Sequence, residues 1–122
     1  NRAMSRRADG ELERAVLEIL WNAEESLLPA GVRESLGSQL AYTSVATVLT
    51  RLWEKGWVAR VPSGRAFSYH ASISREDWYA DQMLAVLGDA PNQRALLAGF
   101  VGKLSRRDRD ALRQMLTENG KQ

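Results

Sequence analysis

Residues 41–60 read AYTSVATVLTRLWEKGWVAR. Val45, Val48, Leu49, Leu52 and Trp53 recur at i, i+3, i+4, i+7 and i+8, the spacing of one apolar stripe on a helix over 42–55. Gly56 is well placed to end that helix. The opposite face carries Thr43, Thr47, Thr50, Arg51 and Glu54, with Ala46 between them. Threonine is an odd choice there. A β-branched side chain loses rotamer freedom in a helix, and lysine or glutamate would suit a merely solvated surface better.

Working outward, Trp57-Val58-Ala59-Arg60-Val61 favours a strand, and Pro62-Ser63-Gly64 signals a turn. Residues 65–71 then alternate, with Phe67 and Tyr69 on one face and Ala66, Ser68 and His70 on the other. This is a two-stranded hairpin. Upstream, Leu12, Val16, Ile19 and Leu20 form one stripe on a helix from about Gly10 to Asn22, with Asp9 as its N-cap. Residues 1–8, with Arg2, Arg6 and Arg7, are expected to be a flexible arm. Pro29 suits the first turn of a short helix whose Val32 and Leu36 face inward and which Gly37 closes. Three helices followed by a hairpin is the order of a winged helix-turn-helix domain, here over residues 9–73.

Residues 74–122 form a different object. Ser74 with Asp77 reads as a capping box opening a helix that carries Ala80, Met83, Leu84 and Leu87 in register and closes at Gly88. Pro91 starts the next helix, with Leu96, Leu97, Phe100, Val101 and Leu104 along one broad side. Ser105 with Asp108 caps the last, which carries Leu112, Met115 and Leu116 and ends near Asn119-Gly120. Three helices of this length bury too little surface to stand alone. Their stripes serve either as an intramolecular core or as a surface that pairs with a second copy. The second fits better, because helix-turn-helix proteins usually read two half-sites as dimers. The fold class is therefore mainly α with a small β-hairpin: a winged helix-turn-helix followed by a three-helix dimerisation region.

The 122 residues are 44% hydrophobic and 26% charged, with net charge +2, no cysteine and one histidine. Without cysteine there is no disulfide, no thiolate nucleophile and no Cys/His zinc site. A Ser-His-Asp triad would have to use His70, which falls in the hairpin and reads as a surface residue. The clearest acidic pairs, Glu24-Glu25 and Glu76-Asp77, flank helix ends and read as solvated charge. No apolar run is long enough to cross a membrane and no signal-peptide pattern follows the basic start, so a cytoplasmic protein is expected. The charge is unevenly spread. Residues 8–37 set Asp9, Glu11, Glu13, Glu18, Glu24, Glu25 and Glu34 against Arg14 and Arg33, whereas residues 38–73 set Arg51, Lys55, Arg60 and Arg65 against Glu54. The basic segment contains the threonine helix, which suggests an anionic partner for it.

In a helix-turn-helix the second helix of the pair enters the major groove. Short hydroxyl side chains let it approach base edges, where they donate or accept hydrogen bonds, and a threonine methyl can touch a thymine methyl. Long lysines would hold it away. A solvent face with incidental threonines is the other reading of this pattern.

The runs Leu12-Glu13-Arg14-Ala15-Val16-Leu17, Leu20-Trp21, Ala41-Tyr42-Thr43-Ser44-Val45-Ala46-Thr47-Val48-Leu49-Thr50-Arg51-Leu52 and Lys55-Gly56 resemble the penicillinase-repressor family, bacterial repressors of β-lactamase and methicillin-resistance genes with copper-responsive relatives. The resemblance spans about residues 10–118, including the three-helix tail. It implies a homodimeric winged-helix repressor on an inverted-repeat, double-stranded DNA operator, often with TACA/TGTA half-sites. Carried onto this chain, Tyr42, Thr43, Ser44, Thr47 and Thr50 would face bases or nearby phosphates. Arg51 would pair with phosphate and Arg65 on the wing with the backbone or minor groove. The plain alternatives are a helix-surface ion pair for Arg51 and a solvated turn for Arg65. Dimerisation would use Met83, Leu84, Leu87, Leu96, Leu97, Phe100, Val101, Leu112, Met115 and Leu116.

Two departures stand out. Copper-responsive relatives carry a C-terminal cysteine cluster, which this chain lacks, so that mode of release is excluded and no cofactor is expected. β-Lactam-responsive relatives are cut at an Asn-Phe bond, which would make a regulatory protease a further partner. The matching position here is Gly99-Phe100, where the aromatic is kept and the asparagine is lost. The expected function is a repressor with no catalytic activity; the rivals are a winged-helix module that binds only protein and, more distantly, a small hydrolase.

Overall fold

A computed structural model describes the backbone of residues 2–37 and 39–119, and the side chains of 10–37 and 39–119. The elements are α1 (Arg2–Asn22), α2 (Pro29–Leu36), α3 (Tyr42–Glu54), β1 (Val58–Ser63), β2 (Ala66–Ala71), α4 (Arg75–Asp89), α5 (Gln93–Lys103) and α6 (Arg106–Asn119). The chain is mainly α with one two-stranded sheet, in the winged-helix order. It divides into two compact units, Asn1–Tyr79 and Ala80–Gln122.

The expected start of the first helix moves. Residues 2–8, expected as a flexible arm, are helical, and the helix runs on through Asp9, which is therefore not its N-cap. Arginine, alanine and methionine are strong helix formers and carry the helix upstream of Gly10. Asn1 and Gly120 lie outside the described residues.

In the first unit the stripes meet as their spacing requires. Val16, Leu17 and Leu20 of α1, Val32 of α2, and Val45, Val48, Leu49 and Leu52 of α3 are buried together with Val58 and Tyr69 of the hairpin. Leu12 and Ile19 pack only at the edge of this core, and Leu17, absent from the expected stripe, is at its centre. Gly56 follows α3 at φ +82°, a backbone conformation that costs a side chain energy but suits glycine.

The strands run antiparallel with Arg60 opposite Tyr69, Pro62 opposite Phe67 and Ser63 opposite Ala66. The turn is therefore Gly64-Arg65, one residue later than the proline suggested. Gly64 has φ +64° while Arg65 does not have positive φ, the pattern of a type II′ hairpin turn. Pro62 sits at a non-hydrogen-bonded pair position, where its missing N–H costs no ladder bond. The outer edge of β2 is covered: Tyr69 and Leu27 exchange both backbone hydrogen bonds, at 2.7 and 2.8 Å. The Ser26 and Ser68 hydroxyls meet at 3.0 Å beside them, which satisfies the buried Ser68.

The first turn of α4 belongs to this unit, so the packing boundary falls at Tyr79 rather than at residue 73. Trp78 is buried, and its ring meets those of Trp21, Trp57 and Tyr79 edge-on, with centroids 6.0, 6.0 and 5.0 Å away. The Trp21 Nε1–H donates to the Ile73 carbonyl at 2.8 Å. Arg75 adds two hydrogen bonds to the Glu18 carboxylate, at 2.9 and 3.4 Å, and one to Asn22 Oδ1 at 3.1 Å. The hydrogen bond to Glu18 raises the Arg75 guanidinium above its ordinary value, so that side of the pair stays charged at any physiological pH.

The starts of α4, α5 and α6 are each capped by a short polar side chain. Ser74 Oγ accepts from Asp77 N–H at 3.0 Å, Asn92 Oδ1 from Ala95 N–H at 3.0 Å, and Ser105 Oγ from Asp108 N–H at 3.1 Å. Asn92, rather than Pro91, opens α5, and Gly88 lies inside α4 instead of ending it.

Trp78→Ala should destabilise the protein by about 3–5 kcal/mol, as expected for emptying a buried aromatic site. Trp78 Nε1 has no hydrogen-bond partner. Trp78→Phe removes that orphan donor and keeps an aromatic ring, so it should cost clearly less. Denaturant unfolding followed by far-UV circular dichroism measures both.

Candidate nucleic-acid interface

Burial of the Val45–Leu52 stripe turns the threonine face of α3 outward. Tyr42, Thr43, Ser44 and Thr47 are exposed. Among the described residues, the hydroxyls of Thr43, Ser44 and Thr47 take part in no hydrogen bond with protein. Thr50 is different. It is half-buried, and its hydroxyl donates to the Ala46 carbonyl at 3.0 Å. Its proton is therefore spent on its own helix, leaving a methyl and an accepting oxygen to face outward. Ala46, Thr47, Thr50, Arg51 and Glu54 line a shallow depression of about 330 Å³ on this face. Glu54 suits a base amino group there, and disfavours phosphate.

The start of α3 is open as well. Ala41 stands at the N-cap in extended conformation (φ −72°, ψ 142°) with no side-chain cap, and the first turn holds no acidic residue. The Ser44 N–H donates to the Ala41 carbonyl at 3.1 Å, while the Tyr42 and Thr43 amides have no partner among the described residues and sit at the positive end of the dipole, a combination that suits an anion.

The basic residues of the segment have separate fates. Lys55 is neutralised by Glu13 at 2.7 Å. Arg51 is half-buried and, among the described residues, has no carboxylate partner, so the helix-surface ion pair considered for it is not formed. Arg65 is exposed at the turn of the wing. Arg60 was not singled out as a site residue from the sequence. Its guanidinium carbon lies 3.6 Å from the centroid of the Trp53 ring and 4.1 Å from that of Phe67. Trp53 is 42% exposed, a correction to its place on the buried stripe, and Phe67 is 38% exposed although it shares a strand face with buried Tyr69. Both rings lie at the margin of the core, where the guanidinium covers them. The signal was the hairpin register, which sets Arg60 diagonal to Phe67; the contact with Trp53 needs the packing of α3 on β1.

His70 is exposed, opposite Ala59 on the hairpin. Among the described residues no cluster of His, Asp and Glu is arranged to hold a metal, and no helix is long and apolar enough to cross a membrane.

In the second unit, none of Met83, Leu84, Leu87, Leu96, Leu97, Phe100, Val101, Leu112, Met115 and Leu116 is buried; Leu84 and Leu116 are 63% and 64% exposed. Met83, Leu84, Val86, Leu87, Leu96, Leu97 and Phe100 line an apolar groove of about 320 Å³. Gly99-Phe100 lies within α5, and Phe100 faces this groove.

Comparison with known proteins adds a family. The penicillinase repressor family matches residues 9–118. The transcriptional regulator BlaI of Mycobacterium tuberculosis, strains CDC 1551 and H37Rv, is 37% identical over 114 residues, covering 89% of this chain and 83% of that protein. The solution structure of the DNA binding domain of the repressor BlaI is 28% identical at TM-score 0.49, covering 55% of this chain and 83% of that one. A mutant of Staphylococcus aureus MepR is 16% identical at TM-score 0.47, covering 96% of this chain and 87% of that one. On the family match and the identity across most of its length, this chain belongs to the penicillinase repressor family, as a winged-helix transcriptional repressor and not an enzyme.

Proposed function

We propose that the protein acts as a homodimer on an inverted-repeat operator, reading bases with α3 and gripping the backbone with its arginines, and that it controls β-lactamase or related stress genes. The observation that carries the reading is the outer face of α3. Its exposed Thr43, Ser44 and Thr47 hydroxyls have no protein partner among the described residues, and Arg51 beside them has no carboxylate. A helix that only met water would gain nothing from side chains this short. The uncapped start at Ala41 supports the same reading, because it offers amides to a phosphate.

The homodimer is supported by the exposed apolar residues of α4, α5 and α6, which a second copy would cover. The choice of target genes follows the family. Cleavage at Gly99-Phe100 by a regulatory protease would divide the helix that supplies Leu96, Leu97 and Phe100 to the groove, and so would release the operator by breaking the dimer.

Binding to a labelled duplex with TACA/TGTA half-sites, compared with a scrambled duplex across a salt series, tests the reading. The palindrome should win by roughly a thousandfold or more, with two chains per site. Equal, weak binding to both duplexes would remove base reading by α3. Thr47→Ala should cost roughly 1–3 kcal/mol on the palindrome and little on the scrambled duplex.

Leu97→Glu places a charge on the exposed face of α5 and should leave the first unit folded. It should shift the protein to monomer in sedimentation equilibrium and weaken operator binding by roughly a hundredfold or more, through lost effective concentration. Dimers of unchanged affinity would move the interface elsewhere.

A further inference from the structure

We propose that Arg60 is a preformed binding site for a DNA backbone phosphate, held ready by Trp53 and Phe67. The inference rests on the DNA-binding reading above. A guanidinium is planar and has two different surfaces to offer. Its faces stack on aromatic rings, and its edge carries five N–H donors. In this protein the faces are occupied and the edge is not. The guanidinium carbon lies 3.6 Å from the Trp53 centroid and 4.1 Å from the Phe67 centroid. Among the described residues Arg60 donates no hydrogen bond from its side chain and forms no ion pair.

An arginine on a bare surface loses much rotamer freedom when it grips a ligand. Two rings have already restricted this one, so less ordering remains to be done on binding. Its position selects the ligand. Trp53 follows Thr50 by three residues and so borders the outer face of α3. Phe67 lies two residues from Arg65, at the turn of the wing. Through its two rings Arg60 therefore joins the helix that carries the free hydroxyls to the hairpin strand that leads from the wing turn. Two oxygens of one phosphodiester match the fork of its donors. Trp53 and Phe67 remain 42% and 38% exposed, so the stack opens to the surface and is not sealed inside the core. In this role Trp53 and Phe67 are positioning residues and Arg60 is the contact.

The test uses the full chain and the two duplexes named above. Arg60→Gln should lose roughly ten- to a hundredfold in affinity on the palindromic and the scrambled duplex alike, and the slope of log affinity against log salt should become shallower by about two, one contact for each chain of the dimer. Arg60→Lys keeps the charge but not the planar fork. It should keep the slope and recover only part of the affinity. The double variant Trp53→Leu with Phe67→Leu should likewise keep the slope and lose affinity. Arg60→Gln with unchanged affinity and slope overturns the proposal. So does a loss of affinity with an unchanged slope, which would make Arg60 a clamp between wing and helix and nothing more. Should Arg60→Gln not fold, Arg60→Lys decides: wild-type affinity overturns the proposal, and reduced affinity at the wild-type slope supports it. A wild-type protein that binds neither duplex is a separate outcome, which overturns the DNA-binding reading and this one with it.

Discussion

Burial of Val45, Val48, Leu49 and Leu52 against α1 and α2 is the constraint on which the rest of this molecule depends. It fixes the rotation of α3 about its own axis. Once that rotation is set, Thr43 and Thr47 must point outward, Trp53 must stand at the margin, and β1 must leave Gly56 in a direction that brings Arg60 back over Trp53. A helix rolled by one residue would bury threonine hydroxyls without partners, which is costly. The same burial that stabilises the unit therefore aims its surface.

The side chains on that surface have been sorted by what the protein leaves them free to do. Thr50 and Lys55 are committed internally, to the Ala46 carbonyl and to Glu13. Thr43, Ser44, Thr47, Arg51, Arg60 and Arg65 keep donors free among the described residues. The net charge of +2 is too small to explain strong attraction to a polyanion by itself. Local pairing does more: acidic groups of α1 neutralise Lys55 and Arg75, while Arg51 on α3 and Arg60 and Arg65 on the hairpin have no carboxylate partner among the described residues. In the proposed complex these arginines supply position and the hydroxyls supply specificity.

The two units depend on different kinds of interaction. The first has a closed core and an aromatic seal, in which Trp78 meets Trp21, Trp57 and Tyr79. The second has well-capped helices but no buried side chain among those described. Caps stabilise helix ends by about 1 kcal/mol each and do not replace a core. Apolar area left in water by α4, α5 and α6 is what gives the proposed pairing its driving force. A repressor built this way could be switched at the weaker unit while its reading head stays folded.

The amino-acid sequence by itself determined the element order, the inward stripes of α1, α2 and α3, the caps at Ser74 and Ser105, and the outward threonine face. Each of these follows from local periodicity or from hydrogen bonds between residues a few positions apart. Three things were decided only by tertiary structure. Trp53 and Phe67 fit apolar patterns, yet they lie at the core margin because no element covers them beyond Arg60. Leu27 adds to the edge of β2 across a separation of 42 residues, and Trp78 carries the boundary of the first unit into α4. Periodicity says which face of an element turns inward; which partner it meets there, and which polar groups that partner leaves free, depends on contacts between residues far apart in the chain.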